Sequence, residues 1–362
     1  MKRFLLPFLL FVVIVQTGYA QGDLKIFGHI TISPELNRNI RLSDQSTQAD
    51  FDQFRLKMNF GFKYLYKDFT FSGRISTGDA DNPRSAYVNL GNTFSNKALQ
   101  MDKAYIKYQK DGWAAWIGKN SINLWKTNEI LWDNDIKPEG IGVRKNIHFY
   151  GTYTTDFQIN AGYFFVNEND DTGTQVPTTF NRQSNLTFVQ LKTLLYFNRH
   201  RFVLAPTYMF SQLPKSLDYK IFSSIFNYQF NHKYSLYADY YHNFSRYEGK
   251  EQINTNLENQ KTGYDIGLGW RHRKFKAKFM YAYIEKYAVI DFLSQDNWLL
   301  PATNDTQYGS NFRGWTSRLT YWVRSRMTVA LNVWYAEQIR SNTPDSGLFK
   351  ATRIRLDIDY KF

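Results

Sequence analysis

The chain contains no cysteine, so disulfide bonds and thiolate metal sites are both excluded. Its six histidines are scattered, without an HExxH motif or another paired spacing that would suit a metal ion. The sequence also lacks a GxSxG nucleophile elbow, a P-loop and a dinucleotide-binding fingerprint. We therefore expect no catalytic residue, no cofactor and no metal, and a protein that is not an enzyme.

Beyond its first twenty residues the chain has no apolar run that approaches the roughly 20 residues of a membrane-spanning helix. Mean hydropathy is −0.51. The one apolar run, Phe4 to Val15, follows two basic residues and precedes the small residues Gly18 and Ala20. This order predicts a signal peptide over residues 1–20 that is cleaved after Ala20, with a retained membrane anchor as the alternative.

Acidic residues are in the minority, with 32 Asp and Glu against 45 Lys and Arg, which gives a formal charge of +13. Cleavage would remove Lys2 and Arg3 and leave the mature chain, residues 21–362, as a single domain at +11. A basic balance often indicates binding to nucleic acid or to an anionic membrane surface. An exported chain does not meet DNA, so we expect no nucleic-acid partner.

Aromatic residues are abundant, since they make up 18% of the chain and include 26 Tyr and 30 Phe. A soluble domain needs far fewer large apolar side chains to fill one core. The surplus therefore predicts an apolar solvent outside the protein, although a hydropathy scan alone would predict a soluble chain.

Apolar and polar residues alternate with a period of two. From Phe54 to Tyr64 the even positions are apolar and the odd positions are charged or small, and the last segment, 353–362, repeats the scheme. A strand with this pattern has one face in an apolar medium and the other in water. Either segment alone would also fit a strand of a β-sandwich, so the argument for a barrel depends on repetition along the chain.

Similar segments recur at the length of about ten residues that a tilted membrane strand needs. They are 24–34, 69–77, 102–109, 113–119, 140–152, 157–166, 186–197, 201–210, 219–230, 233–244, 262–272, 274–286, 312–323 and 327–337. With the two segments above, the fold class predicted is all-β: a transmembrane antiparallel up-and-down β-barrel of about sixteen strands. Fourteen or eighteen strands are the alternatives.

The connections between the segments alternate in length. Tight turns are predicted at 66–68, 110–112, 154–156, 198–200, 231–232, 273 and 324–326. Long polar connections are predicted at 37–49, 78–100, 120–139, 167–185, 211–218, 245–261, 287–311 and 338–350. Short periplasmic turns and long extracellular loops are typical of a barrel inserted from the periplasm, and closure between the first and last strands leaves no edge unpaired in lipid.

The alternation assigns each strand residue to lipid or to the lumen. The apolar side chains assigned to lipid are Leu56, Met58, Phe60, Phe62, Phe69, Phe71, Ile106, Ile159, Phe165, Val189, Leu191, Leu195, Ile266, Leu268, Phe275, Phe279, Leu331, Val333, Ile358 and Tyr360. The basic side chains assigned to the lumen are Arg55, Lys57, Lys63, Arg74, Lys103, Lys107, Lys119, Arg144, Lys192, Arg271, Lys276, Lys278, Arg318, Arg353 and Arg355. The acids in equivalent positions are few: Asp239, Asp265, Asp357 and Asp359. Because a charge facing lipid costs roughly 2–4 kcal/mol at the midplane, we expect a net positive lumen.

Two of the long connections carry charges that could narrow this lumen. The candidate constriction residues are Asp79, Asp81, Arg84, Asp133 and Asp135. A loop of this length can fold into a barrel and place fixed charge at its narrowest point. Two alternatives stay open: that Asp, Asn, Pro and Gly are present as turn formers, and that the loop acids pair with the lumen bases and leave little selectivity.

Several motifs stand out in the first half of the chain: Gly73–Gly78 with the following Asp79–Arg84 run, the strand Met101–Ile106, Leu131–Asp133 and Pro138–Gly140. They resemble the putative-porin family of Bacteroidetes-type bacteria. The pattern is clearest over residues 50–165 and is only architectural beyond them. The resemblance implies an outer-membrane porin and carries over no catalytic residues.

The last strand ends in aromatic residues, with Tyr360 and Phe362 on its apolar side. This ending resembles the C-terminal assembly signal of bacterial outer-membrane barrels, which implies the barrel assembly machinery as a partner. Outer-membrane lipid and lipopolysaccharide are the other expected partners. A monomer and a homotrimer both stay open, because both expose apolar surface to lipid.

Together these features predict an outer-membrane porin for passive diffusion of small hydrophilic solutes, with a preference for anions. One alternative is a substrate-specific channel for anionic oligosaccharides, which the basic lumen would suit. Another is an outer-membrane hydrolase embedded in the barrel, since catalytic residues that meet only in space leave no motif.

Overall fold

The computed structural model describes residues 22–41, 51–78, 86–91, 98–149, 154–166, 185–212, 218–247, 257–295, 297–298, 309–340 and 348–362. These ranges are dominated by β-strands, with irregular loops and one 3₁₀ turn at Asp291–Leu293. No helix within them is long and apolar enough to cross a bilayer. The signal peptide predicted over residues 1–20 lies outside the described residues.

The described residues form seventeen strands, sixteen of them long. The first nine are β1 Asp23–Arg41, β2 Phe51–Tyr66, β3 Phe69–Thr77, β4 Val88–Leu90, β5 Leu99–Lys110, β6 Trp113–Lys119, β7 Glu139–Phe149, β8 Thr154–Phe165 and β9 Asn185–Phe197. The others are β10 His200–Gln212, β11 Tyr219–Phe230, β12 Tyr234–Asn243, β13 Thr262–His272, β14 Phe275–Ile284, β15 Phe312–Arg324, β16 Met327–Gln338 and β17 Phe349–Lys361.

The sixteen long strands make one closed antiparallel barrel. Each pairs with the next long strand along the chain, and β1 pairs with β17. At this seam Ile32 lies opposite Ile358, and Gly28 and Phe362 exchange two backbone hydrogen bonds of 3.1 Å. Closure leaves no strand edge unpaired, as a backbone in lipid requires. The predicted fold class and the count of sixteen are confirmed.

The short strand β4 is not predicted by the sequence. Strand β3 pairs with the half of β2 that ends at Tyr66, and β4 pairs with Phe54–Leu56 in the other half. β3 and β4 therefore lie end to end along β2. Between them Ala86 and Tyr87 lie inside the barrel, where they line an interior cavity.

Tight turns join the strands at one end of the barrel, the short-turn end, and the long connections lie at the opposite long-loop end. Between β5 and β6, Asp111 and Gly112 have φ of 48° and 77°, as a type I′ turn in a two-residue hairpin requires. The turn predicted at 154–156 is wrong. Thr155 and Asp156 are already paired with β7, because threonine suits a strand as well as a turn.

Candidate functional site

Apolar side chains cover the outside of the barrel. Every side chain that the sequence assigns to lipid is exposed or half-buried. Aromatic rings pair near both ends: Phe69–Tyr108 and Phe202–Tyr228 toward the short turns, and Tyr264–Tyr283 and Trp315–Tyr335 toward the long loops. An apolar band between two aromatic girdles is the outer surface of a membrane barrel.

The connection between β6 and β7, residues 120–138, folds into the barrel, and we call it the inward loop. Gln190 of β9 holds its first half with two hydrogen bonds to the backbone of Trp125. The side-chain oxygen accepts from the Trp125 N–H at 2.8 Å, and the side-chain nitrogen donates to its carbonyl at 2.9 Å. Asn160 and Thr207 bond the same amide from the neighbouring strands. A buried amide fully engaged in this way fixes the loop on the wall of β8–β10.

Two carboxylates hold the middle of the inward loop. Asp239 of β12 and Asp265 of β13 lie directly opposite each other and are 3% and 1% exposed. The amide nitrogen of Asn128 donates to both, at 2.8 and 3.0 Å, and the Thr127 hydroxyl donates to Asp239 at 2.5 Å. Tyr241 donates to Asp265 at 3.0 Å. The loop therefore supplies the donors that two facing carboxylates need in a buried place.

The connection between β14 and β15 closes over the inward loop, and we call its residues 285–295 and 297–298 the covering loop. The two loops exchange backbone hydrogen bonds. The N–H of Asp133 donates to the Leu293 carbonyl at 2.8 Å, and the N–H of Gln295 donates to the Glu129 carbonyl at 3.1 Å. Each loop thus satisfies backbone groups of the other where water is excluded.

The two loops carry apolar side chains that fill one side of the lumen. Those of the inward loop are Leu124, Ile130, Leu131, Trp132 and Ile136, and those of the covering loop are Tyr287, Ala288, Val289, Ile290, Leu293 and Trp298. They pack against inward-facing apolar residues of the wall, among them Trp116, Phe164, Leu186, Phe188, Met209, Ile221 and Tyr237. This half of the barrel interior is a packed core rather than an aqueous space.

The other half of the interior holds a cavity of about 460 Å³. Its walls are β1, β2, β3, β5, β15 and β17 together with parts of both loops. The basic side chains that line it are Arg55, Lys57, Arg74, Lys103, Lys137, Arg318 and Arg355. The acidic ones among its described residues are Asp102, Glu129, Asp133, Asp135, Asp357 and Asp359. Seven bases thus face six acids, so the cavity is strongly charged but nearly balanced in sign.

The inward loop contributes charge to this cavity through Asp135. Its carboxylate lies 2.5 Å from the ammonium of Lys57 on β2. Burial raises the pKa of Asp135, but the attraction of Lys57 outweighs it and holds that pKa below its usual value. Asp133 is 2% exposed and its carboxylate accepts from the N–H of Asp135 at 2.6 Å. Both acids are therefore engaged within the protein.

Three arginines surround a buried glutamate at the barrel seam. The Glu35 carboxylate lies 2.7 Å from Arg353, 3.2 Å from Arg55 and 3.8 Å from Arg355. Gln53 also donates to it, at 2.7 Å. This part of the wall is therefore a fixed ion network that joins β1, β2 and β17.

A second group of bases faces the interior nearer the short turns. We call them the short-turn bases: Lys63, Lys107, Arg144, Lys192, Arg201, Arg271 and Lys276. In the part of the chain that the structure describes, none of them has a carboxylate within 4 Å. Arg271 lies directly opposite Lys276, and such like-charge pairs destabilise a sheet. The end of the lumen nearer the short turns therefore carries an excess of positive charge.

The predicted lumen bases occupy different parts of the barrel. Six of them line the cavity: Arg55, Lys57, Arg74, Lys103, Arg318 and Arg355. Arg353 lies at the barrel seam, beside the buried Glu35. Lys63, Lys107, Arg144, Lys192, Arg271 and Lys276 are short-turn bases, and Lys278 donates to the Thr127 carbonyl at 2.7 Å. The prediction for Lys119 is wrong, because this residue shares the outward face of Trp113 and Ile117 and pairs with Glu139 at 3.2 Å.

Three of the predicted constriction residues, Asp79, Asp81 and Arg84, lie outside the described residues.

Other residues of the site are not predicted from the sequence. Asp102 reaches the cavity beside Lys103 because a bulge in β5 breaks the alternation. Arg201 follows the inward pattern of β10 and could have been found from it.

Some known proteins resemble this chain in sequence or in fold. A family model described as "Putative porin" matches residues 30–201. None of the curated proteins matches the chain in sequence. Among solved structures, OmpF of Salmonella typhi in complex with daunomycin is similar with a TM-score of 0.57 and 11% identity, covering 95% of this chain and 99% of that one.

A triple mutant of the Rh. blastica porin is similar with a TM-score of 0.52 and 11% identity, covering 94% of this chain and 100% of that one. At such identities the likeness concerns the fold. Residues 30–201 thus match the putative-porin family, and the barrel as a whole has the fold of solved porins.

Proposed function

We propose that this chain is an outer-membrane porin through which small hydrophilic solutes diffuse passively, with a preference for anions. The signal peptide over residues 1–20 would direct its export, and residues 21–362 would form the barrel in contact with outer-membrane lipid and lipopolysaccharide. Its final strand, ending at Phe362 in the closing seam, would be recognised by the barrel assembly machinery. Association into homotrimers is part of the proposal, to be tested by the mass of the detergent complex.

The observation that carries the anion preference is the excess charge of the short-turn bases. The cavity itself is nearly balanced, so its field does not favour one sign strongly. Below it, seven cations face the interior without a carboxylate within 4 Å among the described residues. Fixed charges of one sign in a low-dielectric channel raise the local concentration of counter-ions. Anions are therefore enriched on the path to the cavity.

The proposal predicts anion selectivity in planar bilayers. In a potassium chloride gradient the reversal potential should have the sign of a chloride-selective channel. Replacing two short-turn bases together, Arg271→Gln with Lys276→Gln, should shift the reversal potential toward zero because the local excess charge falls.

Lys119→Gln is the matched control, since this lysine faces outward and should leave the reversal potential unchanged. A cation-selective reversal potential in the unmodified protein would refute the anion preference. Protein that inserts but gives no current would refute the channel itself.

A further inference from the structure

Two lysines approach the cavity from different parts of the fold. Lys103 belongs to the barrel wall on β5, and Lys137 lies near the end of the inward loop, where it is 9% exposed. Both side chains face the same cavity, and Arg74 faces it with them. Burial lowers the pKa of Lys137, although Asp135 and Asp102 attract its charge. Like charges that face one cavity repel one another, and an anion bound between them removes this repulsion.

The nearby carboxylates do not neutralise these two lysines directly. Asp102 is bound by Arg74, and Asp135 is bound by Lys57. Within the described ranges no carboxylate oxygen lies within 4 Å of either lysine. Both lysines line the cavity together with Ser121.

Hydrogen-bond donors are left over at both ammonium groups. A lysine ammonium carries three N–H donors. Lys103 uses one on the Ser121 hydroxyl, at 2.7 Å, and Lys137 uses one on the Asn134 carbonyl. Up to two N–H donors on each ammonium are therefore available to a bound ligand. An anion with several oxygens can accept from both at once, as charge-assisted hydrogen bonds.

We propose that Lys103 and Lys137, with Ser121 beside them, form a binding site for an oxyanion, either inorganic phosphate or the phosphate group of a small organic solute. This inference rests on the proposed porin function and names a solute class for it. A cavity of about 460 Å³ holds more than the oxyanion alone, so an attached sugar fits the same space. Binding must stay weak for solutes to leave, as conduction requires.

The test is block of chloride current by inorganic phosphate in single channels. Phosphate should reduce the chloride current in a saturable way. Lys103→Gln and Lys137→Gln should each weaken this block roughly tenfold, since each removes charged hydrogen bonds to the anion. Lys103→Arg keeps the charge and should retain most of the block. Lys119→Gln, on the outer face, is the control, and phosphate should block its current as strongly as that of the unmodified protein.

Glucose 6-phosphate and glucose separate the two sources of the oxyanion. Stronger block by glucose 6-phosphate than by phosphate, with none by glucose, would support the site and identify an organic phosphate as its solute. Equal block by both phosphates would support the site for the oxyanion alone. Block that is absent, or that survives both glutamine variants, would overturn the site. If the channel then still shows a chloride-selective reversal potential, the proposed function stands without it.

Discussion

Glu35 has no exposed side-chain surface, and its carboxylate is compensated by arginines from two neighbouring strands. Burying a carboxylate costs several kcal/mol unless its partners are well placed. Arg353 makes the shortest contact, at 2.7 Å, and is itself 2% exposed. Because the network crosses the seam between β1 and β17, it contributes to barrel closure as well as to the charge of the lumen.

Arg353→Met should therefore destabilise the barrel by about 3 kcal/mol, since it leaves Glu35 buried with its closest cation removed. Urea unfolding in detergent, followed by gel mobility, measures this change. Arg271→Met is the matched control, because Arg271 is exposed and has no carboxylate within 4 Å among the described residues; it should shift stability by no more than about 0.5 kcal/mol. Equal losses in the two variants would contradict a structural role for Arg353.

Sequence alternation separates outward from inward residues because neighbouring side chains of a strand point to opposite faces. It fails where the backbone departs from the regular ladder. The bulge in β5 brings Asp102 to the same side as Lys103. The alternation of apolar and polar residues does not predict this bulge. The alternation predicts Lys119 in the lumen, but this residue lies on the outward face at the end of β6 and pairs there with Glu139. A charged side chain near the rim of a barrel does not need to face the interior.

At the scale of elements, the sixteen long strands follow from period two, but the course of the inward loop does not. A signal for it is nevertheless present on the wall. Strands β9, β10 and β11 are apolar on both faces, as in Phe188 beside Val189 and Ile221 beside Phe222. Strands of this kind are covered on both sides. The sequence thus indicates that something packs inside the barrel there, while only the structure shows which loops do.

The inward loop should be released by removing its central donor. Asn128→Ala leaves Asp239 and Asp265 facing each other without the amide that bridges them, and two close carboxylates repel. We expect the loop to leave the wall, so that single-channel conductance and current noise both rise. Single-channel recording in potassium chloride measures both quantities.

Asn146→Ala is the matched control for this change, because Asn146 also faces the interior but bonds Gln158 on the neighbouring strand rather than the loop. Its conductance should stay close to that of the unmodified protein. An unchanged conductance in Asn128→Ala would show that the apolar contacts of the loop suffice to hold it.

At the scale of the whole molecule, the part of the interior between the short-turn bases and the long loops is divided lengthwise. Apolar wall residues and the two loops fill one side, and charged residues keep the other side open. The loops therefore set where the solute path runs, and the short-turn bases set the sign of charge along it. This division explains how a chain with so many apolar inward residues can still carry a polar path.

The absence of cysteine allows the path to be mapped directly with single introduced thiols. One variant is Arg318→Cys, at a residue of the cavity wall. The other is Ile225→Cys, on the side of the barrel that the two loops fill, where Ile225 is 1% exposed. A water-soluble, negatively charged thiol reagent should react with Arg318→Cys and change the current at once. It should leave Ile225→Cys unmodified and its current unchanged. Rapid modification of Ile225→Cys, or none at Arg318→Cys, would contradict a solute path along the charged side of the barrel.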